Sequence, residues 1–311
     1  MRNLIKAEIY KETRKRSFKI ILFLLPIICL ITLLVLRNNA FENTLEVKLS
    51  EDEYNSLYKH CDYEKYDKLY DKYLEGINKE AEIKSLEENN MTRNLSVNST
   101  FIYFVISFFV IYIVFSSFSY DVNYGTNRYV FMSNQGRSKI FLSKIIALVI
   151  ISLFIMVYMS LFSLVVSSLI GKSSFIYLSK YVYFNNKFIK MPLVIYHLLK
   201  CFIYMIPLVF LMVLTSFVSI LFNGNIFGCI LLIMLNLMST TILDFLLVKG
   251  ITFVSYSFLP YLDFSYFSNS NYLLVNALFN VNLELYIGVI ILFIYLIVFY
   301  FVSLIFYKRD I

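Results

Sequence analysis

The sequence predicts an all-α integral membrane protein with six transmembrane helices. Hydrophobic residues fill 59% of the 311 positions and charged residues only 16%, whereas soluble domains carry about a quarter charged residues. Several apolar runs reach the roughly 20 residues that cross a bilayer. Because these runs are continuous rather than alternating, they predict helices and not the strands of a barrel.

The hydropathy pattern assigns the whole chain to one membrane domain. The six predicted spans cover residues 17–36, 101–120, 140–170, 193–222, 226–248 and 285–306. Pro26 lies inside the first span, where it predicts a kink rather than a break. At about 1.5 Å per residue the third span is about 45 Å long, so we expect it to tilt or to project into the cytoplasm.

The distribution of basic residues predicts that both chain ends are cytoplasmic. Seven basic residues lie within residues 1–19, four lie within residues 128–144 and two lie at the carboxyl end. The predicted outer loop 171–192 carries four lysines and no acid, against the positive-inside bias, but the 13 inner charges outnumber them. Residues 1–19 predict either an interfacial helix or a solvated basic tail that only sets the topology.

Residues 37–99 predict an acidic helical insertion outside the cytoplasm. This segment holds 14 of the 21 carboxylates against nine basic residues, a net charge of −5. Aromatic and aliphatic residues recur at helical spacing from Tyr66 to Ile77. Two interpretations stay open: a surface that attracts cationic peptides or drugs, or a solvated helix whose charges only keep it soluble.

A second outer segment, residues 250–285, is rich in aromatic residues and predicts short re-entrant helices packed against protein. Asp244 lies near the outer end of the fifth span, and a carboxylate within a span is a candidate functional group. It could instead reach the interface or pair with Lys249 or Lys200. The candidate substrate path consists of Asp244, Tyr256, Pro260 and Tyr261.

The sequence lacks the usual signatures of catalytic or cofactor sites. The four cysteines show no paired spacing and the two histidines are far apart, so we expect neither disulfides nor a metal site. Gly171-Lys172-Ser173-Ser174 resembles the end of a phosphate-binding loop, but Val166 stands where its first glycine is required. We therefore expect a non-enzymatic chain in the lipid bilayer, with no bound cofactor and no nucleic-acid partner.

The connector, residues 121–144, separates the second and third spans on the predicted cytoplasmic side. Gly125 and Gly136 predict tight turns at the ends of a short helix, which Thr126 can cap. Residues 129–132 form an apolar group, and Arg128 and Arg137 can pair with carboxylates of a partner. The alternative is a loop whose arginines only set the topology.

The layout resembles the type-2 permease subunits of ABC exporters, which are six-span membrane partners of separate ATPases. Three features carry the resemblance: the connector, the aromatic segment before the last span, and the ending Phe-Tyr-Lys-Arg-Asp-Ile. The family pattern in the connector is matched at Asp121, Gly125, Thr126, Arg128, Ser133, Arg137 and Lys144. The chain departs from that pattern in having Asp rather than Glu at 121 and Asn127 after the threonine.

The resemblance implies that the connector forms a coupling helix that docks into the ATPase. The implied coupling residues are Asp121, Gly125, Thr126, Arg128, Tyr129, Phe131, Gly136 and Arg137. ATP and Mg²⁺ would bind to two copies of the partner ATPase, and the permease would pair with itself or with a related permease. An antimicrobial peptide or drug is the expected cargo, in a bacterial cell membrane. The alternatives are export of lipid or glycan, and a membrane sensor that uses the acidic segment without transport.

Overall fold

The computed structural model describes residues 1–39, 100–123, 136–174, 176–184, 187–262, 281, 283 and 285–309. Six of the described helices are long and apolar enough to cross a membrane, so the predicted class of a helical, multi-pass membrane protein is confirmed. Their bounds as candidate spans fall within three residues of the predicted ones. The helices are α1 Arg2–Arg14, α2 Arg16–Asn39, α3 Thr100–Asn123, α4 Arg137–Gly171, α5 Leu193–Leu221, α6 Ile226–Val248 and α7 Leu285–Arg309.

Helix α5 is the centre of the bundle, because it packs against α3, α4, α6 and α7. Aromatic rings join it to α7: Phe210 and Phe217 both lie against Phe299, with centroids 6.1 and 5.5 Å apart. Large apolar side chains on α2, α6 and α7 point away from the bundle. Such a surface is costly in water and suits the acyl chains of a bilayer.

The turn between α5 and α6 follows directly from its sequence. Asn223 and Gly224 both adopt positive φ, which glycine and asparagine tolerate best. The side chain of Asn225 then caps α6 by accepting a hydrogen bond from the backbone N–H of Phe227 at 3.2 Å. Ser119 of α3 donates to the Gly224 carbonyl at 2.8 Å, so the turn is fixed against the end of α3.

A β-hairpin lies between α4 and α5 and is a difference from the predicted all-α fold. Strand β1, Ser179–Phe184, pairs antiparallel with β2, Lys187–Pro192. The charge pattern of residues 171–192 predicts only a cationic loop. Its Tyr, Val, Phe and Ile residues have high strand propensity, and Asn185-Asn186 stands between the two runs, so a signal for a hairpin was present.

The segment after α6 contains two short 3₁₀ helices, Thr252–Tyr256 and Leu259–Tyr261. The ring of Tyr261 packs against Gly288 of α7, where an added Cβ would come within 2.2 Å of Cδ1. The rest of the predicted re-entrant segment, residues 263–280, lies outside the described residues. The same is true of residues 40–99, which contain almost all of the predicted acidic insertion.

Contacts show which helix ends share a side of the bundle. Lys11 of α1 reaches Asp121 near the end of α3, and Tyr307 of α7 packs against Phe141 near the start of α4. We call this side the connector face, because the described ends of the connector lie there. The β-hairpin follows the far end of α4, and we call that side the hairpin face.

Candidate functional site

The candidate site lies at the connector face and is built around the buried pair of Asp121 and Lys144. The Lys144 ammonium donates hydrogen bonds to Oδ2 of Asp121 and, at 2.8 Å, to the carbonyl of Ser117. It also lies over the Phe118 ring, 4.2 Å from the centroid. Lys144 is 1% exposed and Asp121 is 6% exposed. The pair therefore joins α3 to α4 in surroundings where a lone charge would be costly.

Helix α1 is attached to the same pair. Nζ of Lys11 donates to Oδ1 of Asp121 at 2.8 Å, so the two carboxylate oxygens bind two different lysines. Glu12, only 2% exposed, accepts a hydrogen bond from the hydroxyl of Ser117 at 2.8 Å and pairs with Lys15 at 2.7 Å. The amino-terminal helix is thus bound to α3 by two neighbouring polar contacts, and it also packs against α4.

We call this group the ion cluster; its charged members are Glu8, Lys11, Glu12, Lys15, Asp121 and Lys144. It holds three cations and three anions, so it is balanced when all are ionised. Burial alone lowers the pKa of Lys11, but the carboxylates of Asp121, Glu8 and Glu12 raise it above the ordinary 10.5. Lys11 is therefore charged at neutral pH and helps to compensate Asp121.

The structure describes three of the eight predicted coupling residues. Asp121 belongs to the ion cluster, Gly136 precedes α4, and Arg137 is the first residue of α4. Gly136 has φ −58° and ψ 137°, which any residue can adopt, and an added Cβ would meet nothing within 4 Å. Gly136 therefore adopts a backbone conformation that does not require glycine. Gly125, Thr126, Arg128, Tyr129 and Phe131 lie outside the described residues.

The predicted substrate-path residues lie on α6 and on the two short 3₁₀ helices that pack against it, and they differ in exposure. Asp244 is exposed on α6, and Tyr256 is 55% exposed, whereas Pro260 and Tyr261 are buried. Neither of the partners predicted for Asp244 is seen with it. Lys249 lies over the Phe245 ring at 4.3 Å, and Lys200 lies among three tyrosine rings.

A polar contact inside the bundle was not predicted. The side-chain amide of Asn236 on α6 donates to the Ser107 hydroxyl on α3 at 2.7 Å. Beside it lies a cavity of about 20 Å³ lined by residues that include Tyr103, Tyr204 and Leu262, large enough for about one water molecule. This cavity is too small to hold a drug or peptide. Within the described part of the chain, no group of three potential metal ligands occurs.

Sequence analysis found Asp121 and Lys144 as members of a pattern but missed their contact. Neither alternative for residues 1–19, an interfacial helix or a solvated tail, includes the contact between Glu12 and Ser117. One signal was available: Glu8 and Glu12 precede Lys11 and Lys15 by three residues, the spacing of ion pairs on one helix face. Glu8 and Glu12 would not be needed if residues 1–19 served only to orient the chain in the membrane.

Most of the chain matches one protein family. A family model described as protein of unknown function, DUF2705, matches residues 73–311. The chain belongs to this family. Asp121, Ser117 and Lys144 lie within the part that matches the DUF2705 family, whereas α1 precedes it. No curated protein and no solved structure matches the chain.

Proposed function

We propose that this protein is the membrane subunit of an ATP-driven ABC exporter and that its connector binds the ATPase. The observation that carries this proposal is the ion cluster at both described ends of the connector. Asp121 and Lys144 hold the ends of α3 and α4 together, and Lys11 adds α1 to them. A partner that moves the connector therefore acts on three helices at once.

The strength of the Asp121–Lys144 contact favours passing a movement of the connector on to α3 and α4 over breaking that contact. Removing one partner of a buried ion pair costs about 3–5 kcal/mol, so a push on the connector moves the helices before it breaks their contact. Transporters commonly switch between two states by the rigid-body movement of helices that are held together in this way. In this proposal α1 and the inner parts of α3 and α4 move as one body when the ATPases close.

The proposed orientation places the connector face in the cytoplasm. Thirteen basic residues of the sequence belong to the segments assigned to that side, against four lysines in the loop that contains the hairpin. ATP and Mg²⁺ would bind to the two ATPase copies, and the chain would pair with itself or with a related permease. The proposed cargo is amphipathic or hydrophobic, an antimicrobial peptide or a drug, which gives the cell resistance or immunity.

The proposal is tested by co-expressing the chain with a candidate partner ABC ATPase from the same genome and measuring ATP hydrolysis by the purified complex. We expect Arg128→Glu with Arg137→Glu to abolish copurification or stimulation of the ATPase, because both arginines would lose carboxylate partners. Lys187→Glu with Lys190→Glu makes the same charge change on the hairpin face and should leave copurification of the ATPase unchanged. Equal behaviour of the two double variants would refute docking at the connector.

A further inference from the structure

The β-hairpin carries positive charge that the proposed function does not use. Lys180 belongs to β1, Lys187 and Lys190 belong to β2, and Lys172 is exposed directly after α4. Residues 171–192 contain no acidic residue. In the proposed orientation this segment lies on the outer side of the membrane, where basic residues are ordinarily depleted, so we take its four lysines as a sign of an anionic partner.

The hairpin is held at the ends of two membrane spans. Helix α4 ends at Gly171, and β2 ends at Pro192, directly before the first residue of α5. The backbone N–H of Leu193 donates to the carbonyl of Leu178 at 2.9 Å, which fixes the start of β1 to the start of α5. If α4 and α5 cross the bilayer as proposed, the hairpin that joins their ends lies at the depth of the lipid headgroups.

The composition of this segment matches that depth. Ile176 is 65% exposed and Tyr177 is 89% exposed, both just before β1. The strand register places Tyr181 opposite Lys190 and Phe184 opposite Lys187, so aromatic and basic residues pair twice across the hairpin. Tyrosine and lysine together are typical of the membrane interface, where the ring lies among the headgroups and the ammonium reaches phosphate.

We propose that the hairpin binds the headgroups of anionic phospholipids such as phosphatidylglycerol, with Lys172, Lys180, Lys187 and Lys190 as the cationic contacts. Each basic residue close to an anionic membrane surface raises its attraction about fivefold. The acidic segment 37–99 also has complementary charge. We favour lipid because the hairpin directly joins the ends of two candidate spans, and because the exposed Tyr177 and Ile176 suit a membrane interface.

The test uses the absence of tryptophan from the chain. Tyr177→Trp places a single tryptophan directly before the hairpin, and Tyr286→Trp places one at the exposed start of α7, outside the hairpin. Each full-length variant is reconstituted in nanodiscs, with bromine-labelled phosphatidylglycerol or bromine-labelled phosphatidylcholine at equal mole fraction. We expect the phosphatidylglycerol to quench the tryptophan at 177 about fivefold more effectively, and the two lipids to quench the tryptophan at 286 equally.

Three further variants, each in the Tyr177→Trp background, test whether the lysines cause the stronger quenching by phosphatidylglycerol. Replacing the four lysines with glutamine should abolish it, and replacing them with arginine should preserve it; the arginine variant keeps the test valid if the glutamine variant misfolds. Deleting residues 45–90 should leave the preference unchanged. Equal quenching by both lipids at 177 overturns the proposal, and so does a preference that arises only after the deletion, because the acidic segment would then occupy the lysines.

Discussion

The buried pair of Asp121 and Lys144 gives an asymmetric prediction for stability. Asp121→Asn leaves Lys144, which is 1% exposed, with a carbonyl and an aromatic ring but no carboxylate. We expect this change to cost about 3–5 kcal/mol. Lys144→Met should cost less, about 1–3 kcal/mol, because Asp121 keeps its 2.8 Å contact with Lys11. Combining both changes should be milder than Asp121→Asn alone, since no buried charge is then left uncompensated.

The assay follows from the buried thiols. Cys29, Cys201 and Cys229 are at most 4% exposed, so a thiol-reactive dye reports their exposure on heating in detergent. At about 2–4 °C for each kcal/mol, Asp121→Asn should lower the melting temperature by about 6–20 °C. Lys139→Met removes an exposed lysine from the same helix and should change it little. Equal losses for the two single variants, or additive losses in the double variant, would refute the reasoning.

Two further predictions concern other contacts. Gly288→Ala should lower the melting temperature by an amount equivalent to about 1–3 kcal/mol, because its Cβ would lie 2.2 Å from the Tyr261 ring, whereas Gly136→Ala should have no such effect. Lys11 has a folded-state pKa above the ordinary 10.5, so its contribution to stability is complete below 10.5 and is lost as the pH rises through the folded pKa. The alkaline decline in melting temperature should therefore be smaller in Lys11→Met; an identical decline would contradict this.

The parts of the fold that depend on local pattern could be predicted from sequence. Apolar runs predict the six candidate spans, and the turn at Asn223 and Gly224 uses the two residue types that best tolerate positive φ. The ion cluster could not be predicted, because its contacts join positions up to 110 residues apart. Glu8 and Glu12 of α1 lie among many basic residues, so the net charge of that segment gives no indication of their contacts. The hairpin was missed because its lysines were considered without the strand propensity of the residues between them.

The predicted coupling function and the ion cluster both involve the connector. What the structure describes is the anchoring of its two ends at Asp121 and Lys144. The residues that would touch an ATPase, Arg128 and Tyr129 among them, lie between those ends and outside the described residues. A direct contact measurement at one of these positions therefore tests the account better than any change in stability.

The most direct test is site-specific photocrosslinking from Tyr129. A benzophenone amino acid is placed at 129 on the connector, and in a control chain at Tyr177, which is 89% exposed on the hairpin face. Both chains are co-expressed with the candidate partner ABC ATPase and irradiated in membranes. The account predicts a crosslink to the ATPase from 129 and none from 177. An ATPase crosslink from neither position, or equally from both, would contradict it.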